Sequence, residues 1–326
     1  MIPSETEFAQ AVVLLTAGEL VAFPTETVYG LGADASNADA VAKIFAAKGR
    51  PADHPLIVHL PADDWVEHWA QSIPDPAWEL MESFWPGPLT LILKKQPWVP
   101  DLITGGQQTV GLRVPGHPVA LELLRRFAQR NAQGGIAAPS ANRFGRVSPT
   151  TAAHVRAELG EQLMVLEGGA CAVGIESTIV DCSRQEPVIL RPGHIAPAHL
   201  AEVLGFAPEI ETAEGAPRVS GSLPAHYAPN TPMRLLRPGE LDALSPSVGT
   251  ALLAHSPALA ARAAHWPAGR IKLLPAEPVA YAHNLYAALR ALDKSGAEII
   301  LVELTPDAPA WSAVNDRLRR ALAGSN

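Results

Sequence analysis

Cysteine is nearly absent from this chain of 326 residues: Cys171 and Cys182 are the only two, at no spacing that suits a metal site or a redox pair. Two thiols exclude a disulfide-stapled scaffold, and the metal spacings H-E-x-x-H and C-x-x-C are missing. Aromatic residues amount to 6%, and 25 Lys and Arg stand against 33 Asp and Glu, a net charge of −8. An acidic chain without basic stretches interleaved with aromatics is poorly built to grip long nucleic acid, so no tight nucleic-acid binding is expected. No apolar run approaches the ~20 residues of a membrane span. The start, Met1-Ile-Pro-Ser-Glu-Thr-Glu, lacks the basic opening of a signal peptide. A soluble cytoplasmic protein without a membrane partner is the expectation. Walker-type phosphate loops, complete dinucleotide fingerprints and the G-x-S-x-G elbow are also missing.

What is present fits a folded enzyme. Hydrophobic residues make up 48% and charged residues 18%, enough apolar material for buried cores. The length, about twice that of a typical domain, predicts two domains. Proline is abundant at 31 residues, which implies many loop corners. Ser4 and Glu7 fit a capping box ahead of the apolar run Ala11 to Leu15, with Gly18 placed to close that helix. A second helix is predicted to begin after Ser36 or Asn37 and to end at Gly49. Strands are predicted at Leu20 to Phe23, Leu56 to Leu60, Leu89 to Leu93, Val110 to Val114, Ile136 to Ala138, Thr178 to Val180 and Val188 to Leu190. Helices are predicted at Val119 to Gln129 and Thr151 to Leu159. Residues 206–232, rich in Pro, Gly, Ala and Ser, read as an extended linker between a domain over 1–205 and a smaller α/β unit over 233–326. That unit alternates strands (Met233 to Leu236, Thr250 to Leu253, Ile271 to Leu274, Ile299 to Leu304) with helices (Ala280 to Lys294, Ala313 to Ala323), as a doubly wound domain does.

Polar residues gather where these strands end. Pro24 to Gly32 combines threonines with glycines that allow close backbone approach, although it also reads as an ordinary strand-to-helix turn. Lys48-Gly49-Arg50-Pro51 sits at a helix C-terminus, where two cations could equally be solvated caps. His59 stands on an apolar strand, where a core histidine is the commoner reading. Ala138-Pro-Ser-Ala-Asn142 is followed by Arg146 and Ser148, and Glu176-Ser-Thr178 by Arg191-Pro-Gly193. Lys48, Arg50, Arg113, Arg146 and Arg191 all fall near predicted strand ends of an acidic chain. Cations collected in this way suit a small polyanion such as a nucleoside triphosphate.

Phe23-Pro-Thr-Glu-Thr-Val-Tyr-Gly-Leu-Gly32, Lys48 to Pro51, Pro55-Leu-Ile-Val-His59, Ala138 to Asn142, Glu176 to Asp181 and Leu190 to Gly193 together resemble the threonylcarbamoyl-AMP synthases. His226-Tyr-Ala-Pro229 resembles the linker of their two-domain form. The resemblance implies a YrdC-like α/β twisted sheet with a concave positive cavity, joined to a smaller Rossmann-like α/β domain. It implies that L-threonine, bicarbonate and ATP give threonylcarbamoyl-adenylate, pyrophosphate and water. The product would pass to tRNA threonylcarbamoyl-transfer proteins. ATP would be a substrate, with Mg2+ arriving on it and no protein-bound metal. By the same resemblance Lys48, Arg50, Ser140 and Asn142 surround bicarbonate and phosphate. Thr27, His59, Arg113 and Ser177 form the threonine site, with Thr25 and Thr178 as neighbours. Arg50, His54, Thr109, Ser140, Ser148, Arg191 and Tyr227 contact the nucleotide. An RNA-binding module is disfavoured by the charge balance. A carbamoyl-transfer domain of the hydrogenase-maturation type is disfavoured by the scarcity of cysteine.

Overall fold

The structure, a computed structural model, describes residues 2–211, 216–236, 240, 249–263, 265–267 and 269–325. Residues 212–215 of the expected linker, and 237–239, 241–248, 264, 268 and 326 of the expected C-terminal domain, lie outside the described residues. The chain divides into two units, Met1–Phe144 with Pro149–Ser222, and Gly145–Ser148 with Leu223–Asn326. Of the expected linker, residues 206–211 and 216–222 therefore fall in the first unit and 223–232 in the second.

The first unit is built on strands β1 (Val21–Phe23), β2 (Gly30–Asp34), β3 (Ile57–His59), β4 (Leu89–Lys94), β5 (Thr109–Arg113), β6 (Ile136–Ala137), β7 (Met164–Val165), β8 (Thr178–Asp181) and β9 (Val188–Arg191). They form one mixed sheet in the order β7-β1-β2-β6-β3-β5-β4-β8-β9. The capping box is present: Ser4 accepts from Glu7 N, and the helix Glu5–Thr16 follows. The helix Ala38–Lys48 is capped by Asn37 and closed by Gly49 at φ +64°. That left-handed turn, open to glycine at little cost, sends the chain from Lys48 straight into Arg50.

Register explains how the sheet sorts its side chains. His59 pairs with Arg113, Ile57 and Ile92 with Gly111, Thr90 with Ile179, and Ile179 with Arg191. Side chains alternate along a strand and paired residues share a face. One face therefore carries His59, Thr109, Arg113, Thr90, Ile179 and Arg191. The opposite face carries Val58, Leu89, Leu91, Leu93, Val110, Leu112 and Val180, which join the main core with Val41, Ile44, Leu80 and Leu200 from the covering helices. On the polar face a small apolar cluster forms, with Ile92, Ile179 and Val219 at its heart and Ile57 against it, while towards the other edge Val21, Phe23 and Ile136 of the same face pack in a second core under the helices Glu5–Thr16 and Pro118–Ala128. Residues 209–211 run beside β9, Glu209 O accepting from Ile189 N at 2.8 Å and Glu211 N donating to Ile189 O at 2.9 Å.

Three expectations change. The stretch after β1 leads into a second strand, not a helix: β1 and β2 pair antiparallel, Phe23 opposite Gly30. Two glycines disguise β2 in the sequence, yet Gly32 is required, because a Cβ there would lie 2.7 Å from the Phe23 ring and 2.9 Å from Ile136. The helices Asp75–Phe84 and Pro197–Leu204 are additional to those expected; their N-caps, Pro74 and Ala196, make no side-chain capping bond, and a proline in the first turn is the start signal they share. The third change concerns Lys48 and Arg50, only 4% and 7% exposed and so not solvated caps.

The second unit carries β10 (Met233–Leu235), β11 (Thr250–Ala254), β12 (Ile271–Leu273) and β13 (Ile299–Val302), all parallel, in the order β10-β13-β11-β12. Among the described residues the helices Pro257–Arg262, Pro278–Asp293 and Ser312–Gly324 accompany these strands, and Leu252, Ala254, Ala263, Trp266 and Leu301 form a core with them. No helix among the described residues is long and apolar enough to cross a membrane.

Candidate active site

The candidate residues of the first unit fall into three contact groups. In the first, Lys48 Nζ donates to the carbonyls of Ser140 and Asn142, both at 2.5 Å. Asn142 is fully buried, and its Nδ2 donates to Arg143 O at 2.7 Å. Phe144 N returns to Lys48 O at 2.8 Å, so the helix end and the Ala138 to Phe144 loop are tied in both directions. Arg50 Nη2 donates to Pro55 O at 2.9 Å, and its guanidinium lies 5.9 Å from the centre of the Phe144 ring. His54 packs on the same ring at 5.4 Å. Burial and the like charge of Arg50 hold the Lys48 ammonium well below the usual lysine range, against a smaller upward pull from Glu158. Burial and Arg50 likewise push the His54 imidazole down. Two cations kept close together in a buried place are stable only with compensation, and an anionic ligand would supply it.

The second group is centred on Arg113, 4% exposed at the end of β5. Its Nη1 donates to Thr27 Oγ1 at 3.0 Å and its Nε to Gly87 O at 3.2 Å. Thr25 and Thr27 share a hydroxyl contact at 2.8 Å, and Thr25 also donates to Val28 O. His59, paired with Arg113 across the strands, is 3% exposed; burial and the Arg113 charge push its imidazole down to about 3, so it is neutral at physiological pH. Its Nδ1 finds no hydrogen-bond partner among the described residues.

Glu26 completes this group and was missed in the sequence, where it stood between two more eye-catching threonines. Arg113 Nη2 donates to Glu26 Oε1 at 2.6 Å, while Gly116 N donates to Oε2 at 2.9 Å. With 4% and 12% side-chain exposure the pair is buried, and losing one partner leaves an uncompensated charge. Glu26→Gln keeps one acceptor for Arg113 but turns an amide donor toward Gly116 N. Denaturant unfolding should show a loss of about 1–3 kcal/mol, and an unchanged midpoint would mean that Arg113 does not depend on Glu26.

The third group joins Ser177 and Arg191, to which the resemblance gives different ligands. Arg191 Nη2 donates to Ser177 O at 2.9 Å and to Ser177 Oγ at 3.1 Å, and its Nη1 donates to Ser220 O at 2.5 Å. Ser177 Oγ also meets Thr90 Oγ1 at 2.8 Å, and Thr90 was likewise not foreseen. Thr178 Oγ1 donates to Ile195 O at 2.9 Å and receives Ile195 N, a structural clasp. Gly193 has no room for a side chain: a Cβ would lie 2.3 Å from Thr178 N and 2.8 Å from Glu176 O.

His59, Arg113, Thr109, Thr90 and Arg191 share the polar face of the sheet. A depression there is lined by Pro55, Ile57, Ile92, Thr109, Gly111 and Ser220. Pro55 accepts from Arg50 and Ser220 accepts from Arg191. Arg218, a cation the sequence reading passed over as linker, reaches Gly105 O at 2.8 Å and lies 3.5 Å from Asp53. Gln107 and Arg218 exchange two bonds, at 2.8 and 3.0 Å, which fasten residues near 218 beside Thr109. Ser148 and Tyr227 lie in the second unit. There Ser148 is buried, with its carbonyl accepting from Arg290, and Tyr227 is 1% exposed.

A family model described as "Telomere recombination" matches residues 13–193, and one described as "Threonylcarbamoyl-AMP synthase, C-terminal domain" matches residues 195–323. A threonylcarbamoyl-AMP synthase of Pyrococcus abyssi is 38% identical over 318 residues, covering 93% of this chain and 90% of the relative. One of Bacillus subtilis is 38% identical over 340 residues, covering 98% of this chain and 94% of the relative. The crystal structure of P. abyssi Sua5 complexed with L-threonine superposes with a TM-score of 0.86 at 34% identity, covering 100% of this chain and 96% of that one. The chain belongs to the threonylcarbamoyl-AMP synthase family, in its two-domain form.

Proposed function

We propose that the contact groups of the first unit divide the work of threonylcarbamoyl-AMP synthesis between them. The activity itself follows from the family and makes the chain a nucleotidyltransferase-type enzyme, acting on L-threonine and ATP. In our assignment Lys48, Arg50, Ser140 and Asn142 hold bicarbonate and the phosphates. Thr27, His59, Arg113 and Ser177 hold threonine, with Glu26 setting the guanidinium of Arg113. His54, Thr109, Arg191, Ser148 and Tyr227 contact the nucleotide. What supports this division above all is the register: it puts His59, Thr109, Arg113, Thr90 and Arg191 on the sheet face turned away from the main core.

The chemistry needs what these residues offer. The neutral amine of threonine attacks the carbon of bicarbonate, and loss of water leaves an N-carboxylate. One oxygen of that carboxylate then attacks the α-phosphorus of ATP, and the bond to pyrophosphate breaks. The carboxylate, bicarbonate and triphosphate are all anionic, so fixed cations and N–H donors do most of the work, by neutralising charge and aligning the reacting atoms. A neutral His59 suits such a site, because its unpartnered nitrogen can accept a proton from a hydroxyl or amine in a hydrogen bond. Burial pushes both thiols up, Cys182 to about 12, which fits a route without a covalent thiol intermediate. Mg2+ is assigned to the triphosphate oxygens, the hard ligands it prefers; no cluster of carboxylate, imidazole or thiol groups fit for a metal occurs among the described residues. We place the enzyme in the cytoplasm, delivering its adenylate to the proteins that modify tRNA. We also propose that residues 1–205 hold the catalytic domain, 206–232 the connection and 233–326 the accessory domain.

The test is mass detection of threonylcarbamoyl-adenylate from purified protein with L-threonine, bicarbonate and ATP, omitting each in turn. Product that forms without threonine, or none with all three, would refute the reading. In the same assay Arg50→Ala should cut kcat/KM by roughly 10- to 150-fold, the equivalent of one charge-assisted bond of about 1.5–3 kcal/mol. Wild-type turnover in that variant would remove Arg50 from the phosphate site.

A further inference from the structure

The helix Ser312–Gly324 of the second unit gathers arginines around a single carboxylate. Arg320 Nε donates to both oxygens of Asp316, at 3.1 and 3.0 Å, Arg317 Nη1 donates to Oδ2 at 2.9 Å, and Arg319 Nη2 to Oδ1 at 2.6 Å. Asp316 is 4% exposed and Arg317 fully buried. Burial alone would raise the Asp316 carboxyl, but the Arg317 charge and the bonds from Arg320 and Arg319 outweigh it and hold the group below the usual range. Burying such a cluster is costly; the pairs of Asp316 with Arg319 and Arg320 have the spacing that supports a helix, but its bond to the adjacent, fully buried Arg317 does not serve that purpose.

What the cluster touches explains it better. Arg320 Nη1 donates to Leu223 O, and Arg320 O accepts from His226 N at 3.2 Å. The Arg317 guanidinium lies 5.3 Å from the centre of the Tyr227 ring. His226 packs edge-on against that ring at 4.2 Å and Tyr286 lies 5.7 Å away. Ala228 N donates to Gly145 O at 2.9 Å, and Gly324 sits so close that a Cβ there would be 3.1 Å from Ala228 Cβ. Between these fixed points Tyr227 has φ +63°, the left-handed region that a residue with a large side chain adopts only when its surroundings enforce it.

We propose that Asp316, Arg317 and Arg320 are positioning residues that enforce the left-handed conformation of Tyr227 and so fix the direction in which the segment from Leu223 to Ala228 presents its side chains. The consequence for catalysis rests on the reading of Tyr227 as a nucleotide contact. Asp316 orients the two guanidinium groups, Arg317 supports the tyrosine ring, and Arg320 anchors the backbone on the approach to it.

The experiment uses the full chain with Arg317→Met, Tyr227→Ala and the double variant. Amide hydrogen exchange of the 223–229 segment should accelerate about tenfold or more in Arg317→Met, in keeping with the loss of one charge-assisted contact. The KM for ATP should rise by a similar factor while the KM for threonine stays put. In the Tyr227→Ala background, Arg317→Met should cost nothing further, since both act through one element. Unchanged exchange, or fully additive effects on KM, would overturn the proposal. If exchange accelerates while Tyr227→Ala keeps a wild-type KM for ATP, the positioning role stands and the nucleotide assignment of Tyr227 falls. Asp316→Asn, which preserves shape, carries the same comparison should Arg317→Met fail to fold.

Discussion

Lys48→Met should leave a folded protein that makes almost no adenylate. The substitution removes a buried ammonium whose folded position is costly and replaces it with an apolar chain of similar reach. Against that gain, the carbonyls of Ser140 and Asn142 lose their donor, at about 1–3 kcal/mol each. The two effects oppose, and the net change in stability should be small. Catalysis has no such offset. A fixed cation aimed at charge that develops in the transition state is worth about 10²–10³ in kcat, and methionine supplies no charge in its place. Single-turnover adenylate formation within fivefold of wild type would show that Lys48 only braces the loop.

The same lysine gives a pH signature. Its pKa lies below the usual 10.5 in the folded chain. Between the two values the unfolded state holds the extra proton, so this group makes stability rise with pH across that window. Anionic substrates beside the ammonium would draw its pKa back up, and binding should then take up a proton in the same window. Calorimetric titration of ATP in buffers of different ionisation enthalpy reads that uptake directly, and it should vanish in Lys48→Met. A proton count that is the same in both proteins would assign the effect to another group.

Gly193→Ala should have the largest effect on folding. The added methyl would lie 2.3 Å from Thr178 N, 2.6 Å from Ser177 C and 2.8 Å from Glu176 O. All three are backbone atoms of the segment that leads into β8, so none can swing aside as a side-chain tip could. Overpacking of a rigid place costs about 1–3 kcal/mol or more, and here the displaced segment carries Ser177, the partner of Arg191. Activity should therefore fall together with stability. Gly49→Ala provides the contrast: nothing lies within 4 Å of its Cβ position, and only the left-handed backbone, at φ +64°, is penalised. That penalty is about 1–2 kcal/mol. If both variants unfold at the same urea concentration, close approach at Gly193 is not the controlling factor.

Local chemistry made much of this legible in the sequence. Ser4 with Glu7 and Asn37 with Gly49 fixed helix ends because caps act within a few residues. The apolar run Val110 to Val114 marked a strand, which is found at Thr109–Arg113, while its polar face emerges only from the pairing register. What stayed hidden depends on long-range approach. Glu26 shows its role only once Arg113 and Gly116 are beside it, some ninety positions later. Thr90 looked like a strand hydroxyl until Ser177 met it, and Arg218 like linker charge until Gln107 gripped it. The burial of Lys48 and Arg50 also needed the fold, since helix ends are usually wet and only the returning Phe144 loop makes this one dry.

The strip that runs beside β9 has a practical side. Edge strands with open N–H and C=O groups recruit other chains, and here Glu209 and Glu211 occupy those groups around Ile189. A fragment trimmed at residue 205 would bare that seam and remove the carbonyl that seats Arg191, inviting self-association and a slack guanidinium. Anyone wishing to work with the first unit by itself should cut no earlier than Ser222.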